Sequence, residues 1–159
     1  MKSYISKIRE KIGNDKIIHP AGRILIENEK GEFLFILRTD NGLIGIPAGG
    51  LEENETIEEC IYREVYEETG LKLKNLITIG INSNPKTQTV TYSNGDIIQY
   101  FCVEFYSTVW EGELTVFNPN EITKVEFKDK SFLDKLPINE RSIVESYNYY
   151  KENNKIMLK

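Results

Sequence analysis

Hydrophobic and polar positions follow two different periods along the chain, which separate helical from extended segments. Apolar side chains at helical spacing or a helix-start signal predict three helices, at residues 4–12, 57–69 and 138–152. The central helix has the clearest limits. Thr56, with Glu59 three residues later, forms the pattern of a capping box. Gly70 stands where a left-handed residue commonly ends a helix.

Runs rich in β-branched and aromatic residues predict strands between these helices. The predicted strands cover residues 17–26, 33–37, 71–81, 87–92, 97–109 and 122–127, with a short strand near 44–47 inside a glycine-rich loop at 38–50 and a polar loop at 82–86. The turn-like segment Glu27–Glu32 predicts that the first two strands form a hairpin, and Ser93–Asp96 is a second turn signal. This strand-rich order predicts an α/β fold with a mixed β-sheet between helices.

Chain length and composition narrow the class of protein. A chain of 159 residues, 40% hydrophobic and 28% charged, is predicted to form one domain, 1–159, that is neither disordered nor fibrous. No run reaches the ~18–20 apolar residues of a membrane-spanning helix, and the charged N-terminal segment does not read as a secretory signal. We therefore expect no membrane association and a cytoplasmic location. Cys60 and Cys102 show neither a disulfide framework nor metal-ligand spacing.

Acidic residues are concentrated in one part of the chain. The net charge of −5 argues against nonspecific nucleic-acid binding, which requires a basic face. Between Glu52 and Glu68 there are eight glutamates and a single basic residue, Arg63. When residues are placed about 100° apart on a helical wheel, Glu64 and Glu68 fall in the middle of the apolar stripe of the central helix, and Glu67 flanks it.

Two carboxylates on an apolar stripe need a compensating positive charge, because they suffer mutual repulsion and desolvation together. Arg63 is adjacent in sequence, but the wheel directs it about 100° away from Glu64. A divalent cation that prefers oxygen ligands, Mg²⁺ or Mn²⁺, is the predicted compensator. The glycine-rich segment Pro47–Gly50 allows a ligand to approach the backbone closely. Alone it is a weak signal, but beside the acidic helix it predicts a metal and phosphate site.

Gly49, Glu55 and residues 63–71 (REVYEETGL) together resemble the Nudix box at every defined position. The box covers residues 49–71, and a looser resemblance extends over most of the chain. On this motif the chain is identified as a member of the Nudix hydrolase family. The resemblance implies a Nudix-type α/β/α sandwich. It also implies a reaction in which water attacks a phosphorus of a nucleoside diphosphate linked to another moiety, X.

The resemblance further implies a role for each matching residue. Glu64, Glu67 and Glu68 match the box glutamates that bind the divalent metal, Mg²⁺ or Mn²⁺, and take part in catalysis. Ala48 matches a position whose backbone carbonyl often completes the metal coordination. The structural and supporting positions are Gly49, Gly50, Gly70 and the pair Glu55–Arg63, which ties the loop to the helix.

Two positions depart from the family pattern. Ile44 stands where related loops often carry Trp, and Lys124 stands where many members have a further glutamate, with Glu121 and Glu126 nearby. The identity of a general base outside the box is therefore left open. Weaker candidates for substrate binding are Arg38, Tyr100 and Glu121.

The favoured function is a metal-dependent pyrophosphohydrolase for a small nucleotide diphosphate, of the ADP-ribose or nucleotide-sugar type. One alternative is a pyrophosphatase for oxidised nucleoside triphosphates. A non-catalytic nucleotide sensor is disfavoured by the intact box, and RNA 5′-end processing by the lack of a basic cluster. No nucleic-acid partner is expected. A homodimer is left open, because the tail at residues 147–159 fits a dimer contact and a solvated helix end equally well.

Overall fold

The computed structural model describes residues 1–159 as a mixture of strands and helices. The helices are α1 (Tyr4–Ile12), α2 (Ile57–Thr69), α3 (Pro85–Gln88), α4 (Ile138–Arg141) and α5 (Ile143–Asn153), with a 3₁₀ segment at Lys130–Lys135. The strands are β1 (Ile17–Ile26), β2 (Phe33–Arg38), β3 (Ile44–Gly45), β4 (Ala48–Gly50), β5 (Lys72–Leu73), β6 (Ile77–Asn82), β7 (Thr89–Thr91), β8 (Ile97–Ser107), β9 (Trp110–Glu111), β10 (Ile122–Lys128) and β11 (Met157–Leu158). None of these helices has the length and hydropathy that a membrane-spanning segment requires.

The strands form one large mixed sheet and two small ones. The large sheet has the order β11-β6-β8-β1-β4, with β7 also paired to β8. In it β1 runs parallel to β8, and β11 runs parallel to β6, whereas the other pairs are antiparallel. The strands β10, β2 and β3 make a second sheet, and β5 pairs with β9.

Side chains of β1 alternate between the two faces of the large sheet, as strand geometry requires. Ile24 belongs to a buried cluster that includes Ile61 of α2. The next residue, Leu25, belongs to a second buried cluster that includes Ile143 of α5. Helices therefore cover both faces, which confirms the predicted α/β fold with a mixed sheet between helices.

Helix α2 has both predicted end signals. The Thr56 hydroxyl accepts the backbone N–H of Glu59 at 3.2 Å, and the Glu59 carboxylate accepts the N–H of Thr56 at 2.7 Å. This confirms the capping box. Gly70 ends the helix at φ +78°, and a Cβ there would lie 2.7 Å from the carbonyl oxygen of Glu113. Glycine is required at this position both for the left-handed backbone and for the close passage of the following loop.

The predicted hairpin between the first two strands is wrong, although both strands exist. Strand β1 lies between β8 and β4, whereas β2 lies between β10 and β3 in the other sheet. Only an isolated bridge between Glu27 and Phe33 joins the two strands. The local turn signal at residues 27–32 correctly predicts a chain reversal, but the pairing partners come from distant parts of the sequence.

Two other predicted strands are shorter than expected. The strand predicted over residues 71–81 is divided into β5 and β6, because the Asn75 side chain accepts the backbone N–H groups of Thr108 and Val109. The strand predicted over 87–92 is reduced to β7, and the polar loop predicted over 82–86 runs into the short helix α3. Asn84 caps α3, and Pro85 occupies its first turn.

The C-terminal helix predicted over 138–152 is divided into α4 and α5 at Ser142. The Ser142 hydroxyl donates to the Asn139 carbonyl at 2.8 Å, a local bond of the kind that competes with regular helix hydrogen bonding. As a result, α4 is a single turn, and its Glu140 contacts Arg38 at the end of β2.

Candidate functional site

The glycine strand β4 and the acidic helix α2 are in direct contact. The backbone N–H of Ala48 donates to Glu68 Oε2 at 3.1 Å. Gly49 pairs with Gly22 across β4 and β1, and a Cβ on Gly49 would lie 2.0 Å from the carboxyl carbon of Glu64. The absence of a side chain at Gly49 therefore allows the Glu64 carboxylate to lie against the strand.

Arg63 connects this loop to the helix. Its Nε and Nη2 donate to the Glu55 carboxylate at 3.0 and 2.6 Å, and its Nη2 also donates to the Gly50 carbonyl at 3.3 Å. Its Nη1 donates to Glu64 Oε1 at 2.6 Å and lies 3.4 Å from Glu67 Oε2. The expectation that Arg63 points away from Glu64 is therefore wrong. The helical wheel gives the direction of the Cβ atom, and a long arginine side chain can turn back from it.

The three box glutamates face one cavity of about 440 Å³. The cavity is lined by Glu64, Tyr66, Glu67, Glu68, Phe117, Asn118, Glu121 and Ile122. Glu121, which the sequence offered only as a weak candidate, thus lies at the same cavity as the box. Lys124 is not part of this lining and pairs instead with Glu126 at 2.7 Å. The first cavity is therefore strongly acidic.

Burial and mutual repulsion raise the pKa values of Glu64 and Glu68. Burial, followed by the neighbouring charge of Glu64, raises the pKa of Glu68 to about 8, against the opposing effects of Arg38 and the Ala48 N–H. Burial also raises the pKa of Glu64 above its usual range, although the hydrogen bond from Arg63 opposes this. In contrast, Arg63 lowers the pKa of Glu55. Glu55 thus forms an ion pair with Arg63, whereas Glu68 has no ion-pair partner within 4.0 Å.

This pattern predicts a pH dependence of the stability of the metal-free protein. Folded Glu68 keeps its proton to about pH 8, whereas an unfolded glutamate releases it near the ordinary value of 4.5. The contribution of Glu68 to the free energy of unfolding is therefore fully present below about pH 4.5 and declines as the pH rises to 8. We expect a loss of roughly 3 kcal/mol between pH 5 and pH 8, a decrease of roughly 6–12 °C in Tm, in melts with a chelator. Glu68→Gln should show a flatter profile, and equal slopes would contradict the prediction.

A second cavity, of about 300 Å³, is lined by Ala48, whose N–H donates to Glu68 in the lining of the first cavity. Arg38 and Tyr100 both line it, so the structure brings these two candidates together and places Glu121 apart from them. A second guanidinium, that of the buried Arg23, also lines this cavity. The Tyr100 hydroxyl is hydrogen-bonded to that of Tyr92, and burial raises the pKa of Tyr100.

Glu140 is a buried acidic residue at this cavity that the sequence did not reveal. It lies in α4 and accepts Arg38 Nη2 at 2.6 Å and the backbone N–H of Ile46 at 2.9 Å. Gly45 leaves the space for this pair, since a Cβ there would lie 3.0 Å from both side chains. A lone glutamate after Pro137 carries no recognisable motif, and only the tertiary fold shows that it holds Arg38.

The carboxylates fit a divalent cation by chemistry but are not gathered around one point. No three acidic, thiol or imidazole side chains are close enough together to hold a metal, because Glu64 is turned towards Arg63 and Glu67 is exposed to solvent. However, Glu68 is a carboxylate in an acidic cavity with no ion-pair partner, and hard oxygen donors surround the same space. These are the ligands that Mg²⁺ and Mn²⁺ prefer.

Gly49→Ala tests whether the position of the Glu64 carboxylate matters. The new methyl group is expected to displace this carboxylate, while the fold survives because the three nearest atoms, Cγ, Cδ and Oε1, all belong to the flexible Glu64 side chain and none to the backbone. We expect metal affinity and activity to fall by about 10- to 100-fold with little change in Tm. Gly22→Ala is the matched control, since its Cβ would meet its neighbours at an ordinary 3.6 Å. Equal activity of the two variants would contradict the prediction.

The chain is similar to several known proteins. The NUDIX domain model matches residues 18–146. An ADP-ribose pyrophosphatase of Methanocaldococcus jannaschii is 32% identical over 158 residues, covering 94% of this chain and 88% of that protein. An NAD-capped RNA hydrolase NudC of Chromobacterium violaceum is 40% identical over 62 residues, covering only 37% of this chain and 23% of that protein. A MutT NUDIX hydrolase from Burkholderia pseudomallei has the same fold, with a TM-score of 0.65 at 21% identity, covering 82% of this chain and 98% of that one.

The match over most of the chain shows that the protein belongs to the NUDIX family. It is accordingly a hydrolase that acts on pyrophosphate bonds. Nudix hydrolases act on nucleotide diphosphate substrates, and they generally need divalent metal ions.

Proposed function

We propose that the protein is a Mg²⁺- or Mn²⁺-dependent pyrophosphohydrolase that cleaves a nucleoside diphosphate linked to a moiety X, of the ADP-ribose or nucleotide-sugar type. The observation that carries this proposal is the meeting of two unlike cavities at the contact between Ala48 and Glu68. One is lined by carboxylates, which suit metal ions, and the other contains Arg38, which suits phosphate. The similarity to an ADP-ribose pyrophosphatase over nearly the whole chain supports the same substrate type.

Glu64, Glu67, Glu68 and the Ala48 carbonyl are the groups proposed to hold the metal. The bound ion supplies neutralisation of the diphosphate charge and a lower pKa for coordinated water. Arg63 and the metal would compete for the Glu64 carboxylate. When Glu64 binds the metal, the Arg63 guanidinium loses this bond, but its bonds to Glu55 and to the Gly50 carbonyl keep it in place. Glu55 and Arg63 thus act as supports rather than as groups that touch substrate.

The remaining steps are assigned to groups at the two cavities. Arg38, held by Glu140, binds a non-bridging oxygen of the diphosphate through its second terminal nitrogen. Tyr100 lines the cavity for the nucleoside. We assign to Glu121 the acceptance of a proton from the attacking water, and its position in the lining of the same cavity as the box glutamates supports this proposal.

The wider setting of the enzyme is also part of the proposal. We propose that residues 1–159 act as one hydrolase domain in the cytoplasm, on a small-molecule substrate rather than on nucleic acid. The net charge of −5 supports the last point, because a nucleic-acid substrate requires a basic path. The homodimer stays an open prediction.

The test is a hydrolysis panel with Mg²⁺ or Mn²⁺ and identification of every product. The panel contains ADP-ribose, nucleotide sugars, dinucleotides and oxidised nucleoside triphosphates. ADP-ribose or a nucleotide sugar is expected to be cleaved to a nucleoside monophosphate and a phosphorylated X. Turnover confined to nucleoside triphosphates would show that the substrate is a nucleoside triphosphate and not ADP-ribose or a nucleotide sugar. The absence of turnover on every compound with either metal would overturn the proposed function.

A further inference from the structure

A buried hydrogen-bond network lies beside the cavity that contains Arg38. At its centre is Gln88, the last residue of α3, which is fully buried. Its side-chain oxygen accepts Arg23 Nη2 at 2.7 Å. Its amide nitrogen donates to the Asn139 carbonyl and to the Ser142 hydroxyl, both at 3.1 Å. One side chain of α3 therefore connects strand β1 to the short helix α4.

The network ends at the backbone of α4, one residue before the group that holds Arg38. The Asn139 carbonyl accepts hydrogen bonds from both Gln88 and Arg23. Glu140 follows directly in the chain and accepts Arg38 Nη2 at 2.6 Å. A shift of the Asn139 carbonyl would therefore move the carboxylate that orients Arg38.

Helix α4 depends on such outside contacts for its position. It contains only four residues, Ile138–Arg141, and its N-cap, Pro137, supplies no side-chain hydrogen bond. A single helical turn is unstable by itself, because its few hydrogen bonds do not offset the entropy lost in ordering its backbone. Since Gln88 is shielded from solvent, water does not compete for its side-chain hydrogen bonds. The position of Glu140 thus depends on Gln88 as well as on Arg38.

We propose that Gln88 is a positioning residue for the diphosphate, because it holds α4 where Glu140 keeps Arg38 in the orientation that binds a phosphate oxygen. This inference rests on the proposed function, since it assumes that Arg38 binds the diphosphate. It adds a residue that lines neither cavity and that acts only through its neighbours.

Gln88→Glu is the main test, because the carboxylate can still accept Arg23 Nη2 but cannot donate to the Asn139 carbonyl. We expect KM for the best substrate of the hydrolysis panel to rise by about tenfold, with kcat changed by less than about twofold. Gln99→Glu is the matched control and should leave both constants unchanged. Gln99 is a half-buried glutamine that donates to the Ser83 carbonyl at 3.3 Å and lines neither cavity.

A double variant separates positioning from a general structural role. If Gln88 acts through Arg38, the KM effect of Gln88→Glu disappears in the Arg38→Gln background, whereas independent effects on KM would multiply. A merely structural role would reduce the amount of active protein, and so the apparent kcat, and would leave KM unchanged. Ser142→Ala removes another donor to the Asn139 carbonyl and is expected to raise KM by a smaller factor, which keeps the test available if Gln88→Glu does not fold.

The outcomes separate this inference from the proposed function. A wild-type KM in the folded variants, or a KM increase that persists in full in the Arg38→Gln background, would overturn the positioning role and leave the hydrolase intact. A loss confined to the apparent kcat would overturn it as well. Calorimetric titration of inorganic pyrophosphate with Mg²⁺ tests the same role even if no compound of the panel is hydrolysed. Gln88→Glu and Arg38→Gln should each raise the Kd by about tenfold, and an unchanged Kd in either variant would overturn the inference.

Discussion

Glu68→Gln is expected to lower turnover by about two to four orders of magnitude, the scale of losing a main electrostatic or acid–base contributor. The change keeps the size of the side chain but removes a charge proposed to bind metal. Without metal, the variant should be as stable as the wild type or more stable, because Glu68 has no ion pair to lose and sits one helical turn from Glu64. The glutamine oxygen can still accept the Ala48 N–H.

Both quantities are measured on one purified variant, as kcat with saturating metal and as Tm with a chelator. Glu58→Gln is the matched control, because it removes a glutamate from an exposed position of the same helix. A structural role for Glu68 would give the reverse pattern. Turnover near that of the wild type, together with a clear drop in metal-free stability, would refute the assignment.

Removal of divalent metal is expected to abolish activity, and its return is expected to raise the Tm. The carboxylates at the acidic cavity repel one another in the folded state, so a cation binds the folded protein in preference to the unfolded chain. At about one hundred times the dissociation constant, this binding contributes roughly 2.7 kcal/mol, a shift of about 5–10 °C.

The measurement is a series of thermal melts across a titration of Mg²⁺ or Mn²⁺, with activity recorded in parallel. Glu68→Gln should show a smaller shift than the wild type at each concentration. If the melting temperature stays constant to above millimolar metal, the cation does not compensate the charge of the half-buried carboxylates, and the prediction is wrong.

The sequence predicted the features that depend on neighbouring residues. The limits of α1 and α2 follow from local periodicity and from Thr56, Glu59 and Gly70, and the structure reproduces them. It also predicted that Glu64 and Glu68 lie together on the apolar stripe of α2, because helical spacing determines which residues share a face, and the structure shows both of them half-buried. Their proposed roles as metal ligands stay predictions.

Features that depend on distant contacts could not be predicted. The hairpin of β1 and β2 failed because strand pairing is decided by the whole sheet, and a turn signal shows only that the chain reverses. Glu140 was missed because its partners, Arg38 and the Ile46 N–H, lie far away in sequence. The contact of Arg63 with Glu64 was missed because a helical wheel contains no information on the reach of a flexible side chain.

The parallel pairing of β1 with β8 has a consequence for how the enzyme becomes active. Ile17 of β1 pairs with Ile98 of β8, and β8 follows α2 in the sequence. Strand β1, which also pairs with the glycine segment β4, therefore acquires β8 as a neighbour only after the whole acidic helix has been synthesised. Arg38 acquires its partner later still, because Glu140 lies 102 residues further along the sequence. Contacts of such long range slow folding and leave a growing chain exposed. A ribosome-bound fragment that already contains every residue of the 49–71 motif is thus expected to have no hydrolase activity, because β8 and α4 have not yet been added to the fold.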